Sequence, residues 1–282
     1  MKQHKFSVIL TSFNRPVMVQ RALQSVFEQD YKGPIQLIIM DDNSNDKTLT
    51  AIQKNLVAEN CQLEEAAIDE NGYAIQKLRS RLQPNLEIIL CISNIEDKDR
   101  KETCRYSVLI NFALTKVNGD IVCYLTDDSI WYENKFSVLN EIFQDFKIYI
   151  TYDKTNFYNV VIRNDQVCYI DENYLQNDPA IGKSISFNKD RLLHSNFIDH
   201  IALSHRMACL LPIGQKYGGL WSENKETWIY SDWIFWKRLA EFYDFVPVNI
   251  LLSEKWKHSK CIQNSCTNIG LSFAPNRNEL QE

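Results

Sequence analysis

Residues 121–129 read IVCYLTDDS, and this stretch decides which fold the sequence predicts. Its first five residues are continuously apolar, which is typical of a strand buried on both faces of a parallel sheet. Two adjacent carboxylates, Asp127 and Asp128, follow directly. Ligands of open α/β sheets bind in the crevice beyond the carboxyl ends of the strands, so the stretch predicts both a sheet and a site.

Outward from this strand, the N-terminal half alternates strand and helix patterns. Apolar runs predict further strands at residues 6–10, 35–40 and 86–91, and helical spacing predicts helices at 17–28, from about 46, and at 106–117. This rhythm predicts an α/β, Rossmann-like fold with a mostly parallel sheet flanked by helices. Residues 58–83 form a polar, helix-prone stretch that has no place in the rhythm.

The C-terminal half has a different pattern and predicts a mixed, acceptor-binding half. Shorter strands are expected at residues 149–152, 160–163, 167–170 and 245–252, with a helix at 231–242 that Ser231 caps. No linker or repeat divides the chain. We therefore expect one domain over residues 1–282, with a nucleotide-binding half (1–130), an acceptor-binding half (131–258) and a polar tail (259–282).

The composition excludes several classes of protein. Net charge is -5 and acidic and basic residues are interspersed, so no footprint for nucleic acid is present. No apolar stretch approaches the roughly 20 residues of a membrane span, and the N-terminal run is too short for a signal peptide. The 8 cysteines contain no CxxC pair and predict free thiols. We expect a soluble, cytoplasmic protein.

Asp127 and Asp128 have two interpretations. Adjacent carboxylates at a buried strand end repel each other and lose hydration, and a hard divalent cation relieves both effects. Mn²⁺ or Mg²⁺ held there would bind a diphosphate and stabilise the charge that grows as it leaves. Alternatively, one carboxylate caps the helix expected around residues 136–146. The sequence alone leaves both open.

Two other strand ends carry polar side chains. Thr11 and Phe13 would place a hydroxyl and an aromatic face against a nucleotide base, and Asp42 would accept hydrogen bonds from the base or ribose. Capping of the helix near residue 47 is the alternative role of Asp42. Arg100 and Arg105 are candidates for contact with phosphate, although surface arginines often have no specific role.

Asp232 is the candidate general base. It lies among large apolar side chains in IYSDW (229–233), where desolvation would raise the pKa of its carboxyl and make it a better proton acceptor. Stabilisation of the macrodipole at a helix N-terminus is the alternative. A histidine-rich cluster, HSNFIDHIALSHR (194–206), is a further candidate for acceptor or phosphate contacts.

Three segments, taken in order, resemble the family 2 glycosyltransferases of the GT-A fold: SVILTSFNRP (7–16), IMDDNSND (39–46) and YLTDDS (124–129). Within that family, the chain is most similar to transferases of spore-coat polysaccharide. The similar segments run nearly end to end and include KDRKETCRYSVLIN (98–111), FIDHIALSHR (197–206), SDWIFWKR (231–238) and PNRNEL (275–280).

The resemblance implies a role for particular residues. The implied donor site comprises Thr11, Phe13, Arg15, Asp42, Arg100, Asp127 and Asp128. In it, Asp127 faces the ribose side and Asp128 binds Mn²⁺ or Mg²⁺. Asp232 matches the general base of an inverting transferase, and His205 and Arg206 match a pair near the sugar and phosphate.

Three functions follow as hypotheses. The first is inverting transfer of a sugar from a UDP- or dTDP-sugar to the hydroxyl of an unknown glycan or small-molecule acceptor. The second is a Mg²⁺-dependent sugar nucleotidyltransferase, which would normally need a Gly-rich phosphate loop that SFNRPVMVQ (12–20) lacks. The third is a catalytically silent module that binds nucleotide sugars. An oligomer is compatible with all three.

Overall fold

The computed structural model describes residues 2–171 and 186–258, and these residues form one α/β unit around a large sheet. The predicted polar tail (259–282) lies outside them. The strands are β1 (Phe6–Ser12), β2 (Ile35–Asp41), β3 (Cys61–Ile68), β4 (Ala74–Ser80), β5 (Leu86–Ile92), β6 (Ile121–Thr126), β7 (Ser129–Trp131), β8 (Ile150–Arg163), β9 (Gln166–Asp171), β10 (Leu203–Arg206) and β11 (Phe245–Lys257). The helices are α1 (Pro16–Phe27), α2 (Asp46–Ala58), α3 (Arg105–Leu114), α4 (Lys135–Ile142), α5 (Lys189–His194), α6 (Leu210–Tyr217) and α7 (Ser231–Ala240).

The sheet has a parallel centre and antiparallel flanks. Its strand order is β3-β4-β5-β2-β1-β6-β10-β8-β11-β7, with β9 paired to β8. Strands β5, β2, β1 and β6 run parallel, so their carboxyl ends meet at one edge. Strand β10 runs antiparallel to β6 and to β8. The predicted α/β fold is confirmed, and the antiparallel flank supplies its mixed half.

Two apolar cores lie on opposite faces of this sheet. Successive side chains of a strand point to opposite faces, so in β1 Val8 belongs to the core that includes residues of α1 and Ile9 to the core that includes residues of α3 and α7. Both side chains are completely buried. Burial on both faces explains why the central strands are continuous apolar runs rather than alternating ones.

Residues 59–83 contain no helix, so the helix-prone character expected of the stretch 58–83 was wrong. Helix α2 ends at Ala58, and β3 and β4 then form an antiparallel hairpin at the sheet edge. The side chain of Asp69 closes its turn by accepting from the backbone N–H of Tyr73 at 2.9 Å, and Gly72 has φ +81°. Cross-strand ion pairs on the solvent face, such as Lys77–Glu65 at 2.7 Å, use the charged residues that suggested a helix.

Two element ends in the C-terminal half also differ from expectation. Helix α7 begins at Ser231, but its N-cap position is Tyr230, so Ser231 is not the cap. Its hydroxyl instead accepts from Ser107 Oγ at 3.0 Å. Strand β11 continues to Lys257, five residues beyond the predicted end, because its polar half pairs with both β8 and β7. This extension carries the chain back to the carboxyl end of β6.

A buried ion pair fixes β11 to its neighbours. Lys135 Nζ lies 2.6 Å from Asp153 Oδ2 and also donates to Ser253 Oγ and to the carbonyl of Ile201. Both charged side chains are fully buried, so each depends on the other for compensation. The pair therefore joins α4, β8, β11 and the short 3₁₀ turn His200–Ala202. Within the described ranges, no helix is both long and apolar enough to cross a bilayer.

Candidate active site

A cavity of about 370 Å³ opens at the carboxyl ends of the parallel strands. The loops after β1, β2 and β6 form one side of it, and residues from α3, from the 200–202 turn, from the start of α7 and from β11 form the other. Its lining includes most of the predicted site residues: Thr11, Phe13, Arg15, Asp42, Arg100, Asp127, Asp128 and Asp232. The structure thus brings together eight side chains that are separated by up to 221 positions in sequence.

The loops after β1 and β2 are held to each other. Asn14 and Asn43 both adopt positive φ values (52° and 56°), which asparagine tolerates better than most residues. The backbone N–H of Asn14 donates to Ser44 Oγ, and the side chain of Asn14 accepts from the N–H of Asn45. The helix α2 is capped by Asn45 through Thr48 N, so the capping role considered for Asp42 is wrong.

Asp127 is tied to the loop after β1. Its carboxylate accepts from Arg15 Nη1 at 2.6 Å and from the backbone N–H of Phe13 at 3.1 Å. Burial raises the pKa of Asp127, and the guanidinium of Arg15 opposes that shift. Neither Asp127 nor Asp128 caps α4, whose N-cap position is Asn134, so the capping interpretation is wrong for both.

One carboxylate oxygen of Asp128 accepts hydrogen bonds, and the other faces positively charged side chains. Its Oδ1 accepts from Thr126 Oγ1 at 2.6 Å and from Ser129 Oγ at 3.1 Å. Its Oδ2 lies 3.5 Å from Arg15 Nη1 and 4.0 Å from His258 Nε2. Burial alone would raise the pKa of Asp128, but the charges of Lys255 and Arg15 outweigh it and lower the pKa to about 2.

Asp42 is held by two arginines at the other end of the cavity. Arg100 Nη1 donates to one carboxylate oxygen at 2.5 Å, and Arg105 Nη2 donates to the other at 2.6 Å. The guanidinium of Arg100 also stacks on the Phe13 ring, 4.1 Å from its centroid. Phe13 keeps 38% of its surface exposed. This end of the cavity therefore offers an aromatic face backed by a cation and a fixed carboxylate.

Asp232 lies in the first turn of α7 and lines the same cavity. Burial, followed by repulsion from Asp199, raises the pKa of its carboxyl to about 6. A carboxyl with that pKa is ionised at neutral pH and takes up a proton more readily than an ordinary aspartate. Its place in the cavity and its raised pKa keep Asp232 the candidate general base.

His205 and Arg206 lie away from the cavity, which corrects their expected position near the sugar and phosphate. Strand β10 runs antiparallel to β6, so Arg206 pairs with Ile121 at the far end of that strand. The side chain of Arg206 donates to three backbone carbonyls, including that of Ile148 at 2.8 Å. His205 is buried and bonded to Tyr124 Oη at 2.7 Å. Neither side chain is among the residues that line the cavity.

Two residues beside Asp128, Lys255 and His258, were missed, whereas His200 was predicted as one member of the histidine-rich cluster. The sequence could not show which histidine of that cluster lies at the cavity, because this depends on the direction of the strand that follows. Lys255 and His258 were missed because the last strand was ended too early. In the structure the N–H of Trp256 donates to the carbonyl of Asp128 at 2.8 Å, which places both residues beside that aspartate.

The side chains beside Asp128 fit part of a divalent cation site. A carboxylate oxygen and an imidazole nitrogen bound to one ion lie about 3–4 Å apart, and Asp128 Oδ2 and His258 Nε2 are 4.0 Å apart. No cluster of three or more His, Cys, Asp or Glu side chains exists over residues 2–171 and 186–258. A cation here would therefore take its remaining ligands from phosphate and water, as Mg²⁺ sites commonly do.

Comparison with known proteins agrees with this geometry. Residues 7–77 match the sequence model of glycosyl transferase family 2. The protein CgeD of Bacillus subtilis (strain 168) is 30% identical over 262 residues, which is 93% of this chain and 52% of CgeD. A GalNAc(5)-diNAcBac-PP-undecaprenol beta-1,3-glucosyltransferase of Campylobacter jejuni is 43% identical over 49 residues, 17% of this chain and 16% of that enzyme.

Solved structures show the same fold. S. aureus TarS 1-349 in complex with UDP superimposes with a TM-score of 0.57 at 14% identity, over 90% of this chain and 61% of TarS 1-349. Its complex with UDP-GlcNAc gives a TM-score of 0.53. The architecture is therefore of the GT-A type. The chain spans about half the length of CgeD. The closer resemblance to spore-coat polysaccharide transferases stays a prediction.

Replacement of Asp232 by Asn is expected to stabilise the fold above pH 6. With a pKa of about 6 in the folded state, the carboxyl binds its proton more tightly there than in the unfolded chain. Ionisation above pH 6 therefore costs stability, on the order of 1–3 kcal/mol. Urea unfolding at pH 8 should show Asp232→Asn more stable than the wild type, with most of the difference lost by pH 4.

The exposed Asp99 provides the control, since Asp99→Asn makes the same change of side chain at a surface position. A lower stability of Asp232→Asn at pH 8 would contradict the burial cost assigned to this carboxylate.

Proposed function

We propose that this protein is an inverting glycosyltransferase that moves a sugar from a UDP- or dTDP-sugar to an acceptor hydroxyl. One observation carries the proposal. A single cavity holds a carboxylate beside positive groups, Asp128, and a second carboxyl with a raised pKa, Asp232. The first suits a leaving diphosphate and the second suits an incoming hydroxyl, which are the two ends of a glycosyl transfer.

The nucleotide is proposed to bind between Thr11, Phe13 and Asp42. The exposed face of Phe13 would stack on the base, and the Arg100 guanidinium on that ring supports it. Oδ1 of Asp42 already accepts from Arg105 and Ser93, so Oδ2, which Arg100 holds, would accept from a base N–H or ribose hydroxyl. The complexes of TarS with UDP and UDP-GlcNAc favour UDP over dTDP.

The diphosphate is proposed to lie beside Asp128. Arg15 and Lys255 already place positive charge at this carboxylate, and phosphate oxygens would share that charge. Mn²⁺ or Mg²⁺ would be held by Asp128 and His258 and would stabilise negative charge on the leaving nucleoside diphosphate. Asp127 keeps Arg15 and the loop after β1 in position through its two hydrogen bonds.

The acceptor is proposed to bind on the Asp232 side. Asp232 takes the proton of the acceptor hydroxyl as its oxygen forms a bond to the anomeric carbon. The bond from that carbon to the diphosphate oxygen breaks, and the nucleoside diphosphate leaves with the electron pair. A single displacement inverts the anomeric configuration. No side chain of the described residues needs to form a covalent bond to the sugar in this scheme.

Two other functions give different products. A nucleotidyltransferase would release pyrophosphate, and its usual Gly-rich loop is not found after β1, where the chain runs Ser12 to Pro16 without glycine. A silent binding module would bind nucleotide sugars without any product. Release of UDP from UDP-glucose or UDP-GlcNAc supports the transferase, release of pyrophosphate from UTP and a sugar 1-phosphate would favour the nucleotidyltransferase, and binding with no product would favour the silent module.

Asp232→Asn is expected to lose about 10²–10⁴-fold in the rate of UDP release while binding UDP as the wild type does. The amide keeps the size of the side chain but cannot take up the proton. The wild-type rate should also fall as the pH drops through about 6, because the base becomes protonated. Steady-state rates from pH 5 to 8 measure both effects.

The exposed Asp244 gives a matched control, and Asp244→Asn should behave as the wild type. Unchanged UDP release in Asp232→Asn would remove Asp232 as the base.

Asp128→Ala is expected to abolish the stimulation of UDP release by Mn²⁺ with folding intact. The variant lacks the carboxylate oxygen that faces His258 and leaves the ion one protein ligand at most. Rates at increasing MnCl₂ concentration, with circular dichroism to check folding, measure the effect. Asp165→Ala, at an exposed surface pair with Lys47, is the control. The metal assignment fails if Asp128→Ala responds to Mn²⁺ as the wild type does.

A further inference from the structure

His200 is a buried imidazole at the cavity wall with no hydrogen-bond partner at either ring nitrogen. It opens the 3₁₀ turn His200–Ala202, is 4% exposed, and lines the cavity. Neither Nδ1 nor Nε2 is bonded to any residue that the structure describes. A buried polar group without a partner costs stability, so these nitrogens call for a ligand in the cavity.

Aromatic side chains pack around the His200 ring, and none of them forms a hydrogen bond with its nitrogens. The rings of Tyr106 and Trp221 pack edge-on against it, with centroids at 5.3 Å and 5.6 Å, and the tilted ring of Tyr124 lies at 5.5 Å. His205, five residues later, is the useful contrast. Both of its nitrogens are used, by Tyr124 Oη at 2.7 Å and by the carbonyl of Arg206 at 2.8 Å. His205 is therefore a satisfied core residue, whereas His200 is not.

The position of His200 lies between the two ends of the proposed reaction. Lys255 and Asp128 both act electrostatically on His200. Lys255 also acts on Asp128 and on Asp232, and its Nζ lies 3.5 Å from Asp199 Oδ2, on the residue before His200. His200 and Lys255 thus occupy the wall between the carboxylate for the leaving group and the carboxyl for the acceptor. In a single displacement, the transferred sugar fills that space.

We propose that His200 binds hydroxyl groups of the transferred sugar, with one ring nitrogen donating a hydrogen bond and the other accepting one. This inference rests on the proposed function. Burial, then the charge of Lys255, lowers the pKa of His200 to about 3, so the imidazole is neutral. A neutral imidazole offers one donor and one acceptor, which hydroxyl groups can satisfy together. Phosphate oxygens only accept, so they would satisfy one nitrogen at most.

The test compares His200→Phe, which removes both nitrogens, with His200→Gln, which keeps a donor and an acceptor. Calorimetry in the presence of MnCl₂ gives Kd values for UDP, UDP-glucose and UDP-GlcNAc. His200→Phe should bind UDP as the wild type does but bind the preferred UDP-sugar about tenfold more weakly. His200→Gln should recover part of the loss, and the exposed His194→Phe should show none.

Deoxy analogues of the preferred donor identify the sugar hydroxyl that His200 contacts. Removal of the hydroxyl that His200 contacts should weaken binding to the wild type about tenfold and to His200→Phe much less, because the partner is already absent. Equal weakening of UDP and UDP-sugar in His200→Phe, or no weakening of either, would overturn the contact. Failure of the wild type to bind either UDP or dTDP would instead overturn the proposed function, so the two failures can be told apart.

Discussion

Two neighbouring carboxylates, Asp127 and Asp128, are buried at the end of β6, and much of the site is arranged to compensate them. A buried carboxylate is costly unless it is paired or hydrogen-bonded. Asp127 accepts hydrogen bonds from the Arg15 side chain and from a backbone N–H of the loop after β1. Asp128 accepts hydrogen bonds from two hydroxyls of its own turn and is stabilised by the positive charge of Lys255. The compensation therefore draws the end of β1 and the end of β11 to the same point.

Strand direction decides which residues reach that point. Parallel strands bring their carboxyl ends together, so the residues after β1, β2 and β6 meet although they are far apart in sequence. Strand β10 reverses this relation because it runs antiparallel to β6. The residues before β10, such as His200, lie at the site, and those at its end, His205 and Arg206, lie at the opposite edge. The same reversal makes one histidine a candidate ligand contact and the other a core residue.

The sequence was most informative where elements are buried on both faces. The apolar runs of β1, β2, β5 and β6 and the polar residues that follow them placed Asp42, Asp127 and Asp128 correctly at one edge. It was least informative where packing is one-sided. The hairpin of β3 and β4 has charged residues that suit a helix equally well, and cross-strand pairs such as Lys77–Glu65 are visible only once the register is known. The polar half of β11 was not predicted as strand for the same reason, and Lys255 and His258 were therefore not predicted as site residues.

Asp42 shows that residue identity and residue environment are separate predictions. Its position at a strand end follows from the pattern of β2, but its clamping by Arg100 and Arg105 depends on how the loop before α3 folds back. This clamp also brings Arg100 onto Phe13, so one guanidinium contacts both the aromatic face and the carboxylate. Such a preorganised pair loses little conformational freedom when a base binds.

The most direct measurement is calorimetric titration of the wild-type protein with UDP and with dTDP, each with and without MnCl₂. The account predicts micromolar binding of at least one of them that requires Mn²⁺, because the carboxylate at Asp128 and the nucleotide surface at Phe13 share one cavity. Absence of binding by both nucleotides would contradict it, since the strand-end carboxylates would then have to be structural or serve another ligand.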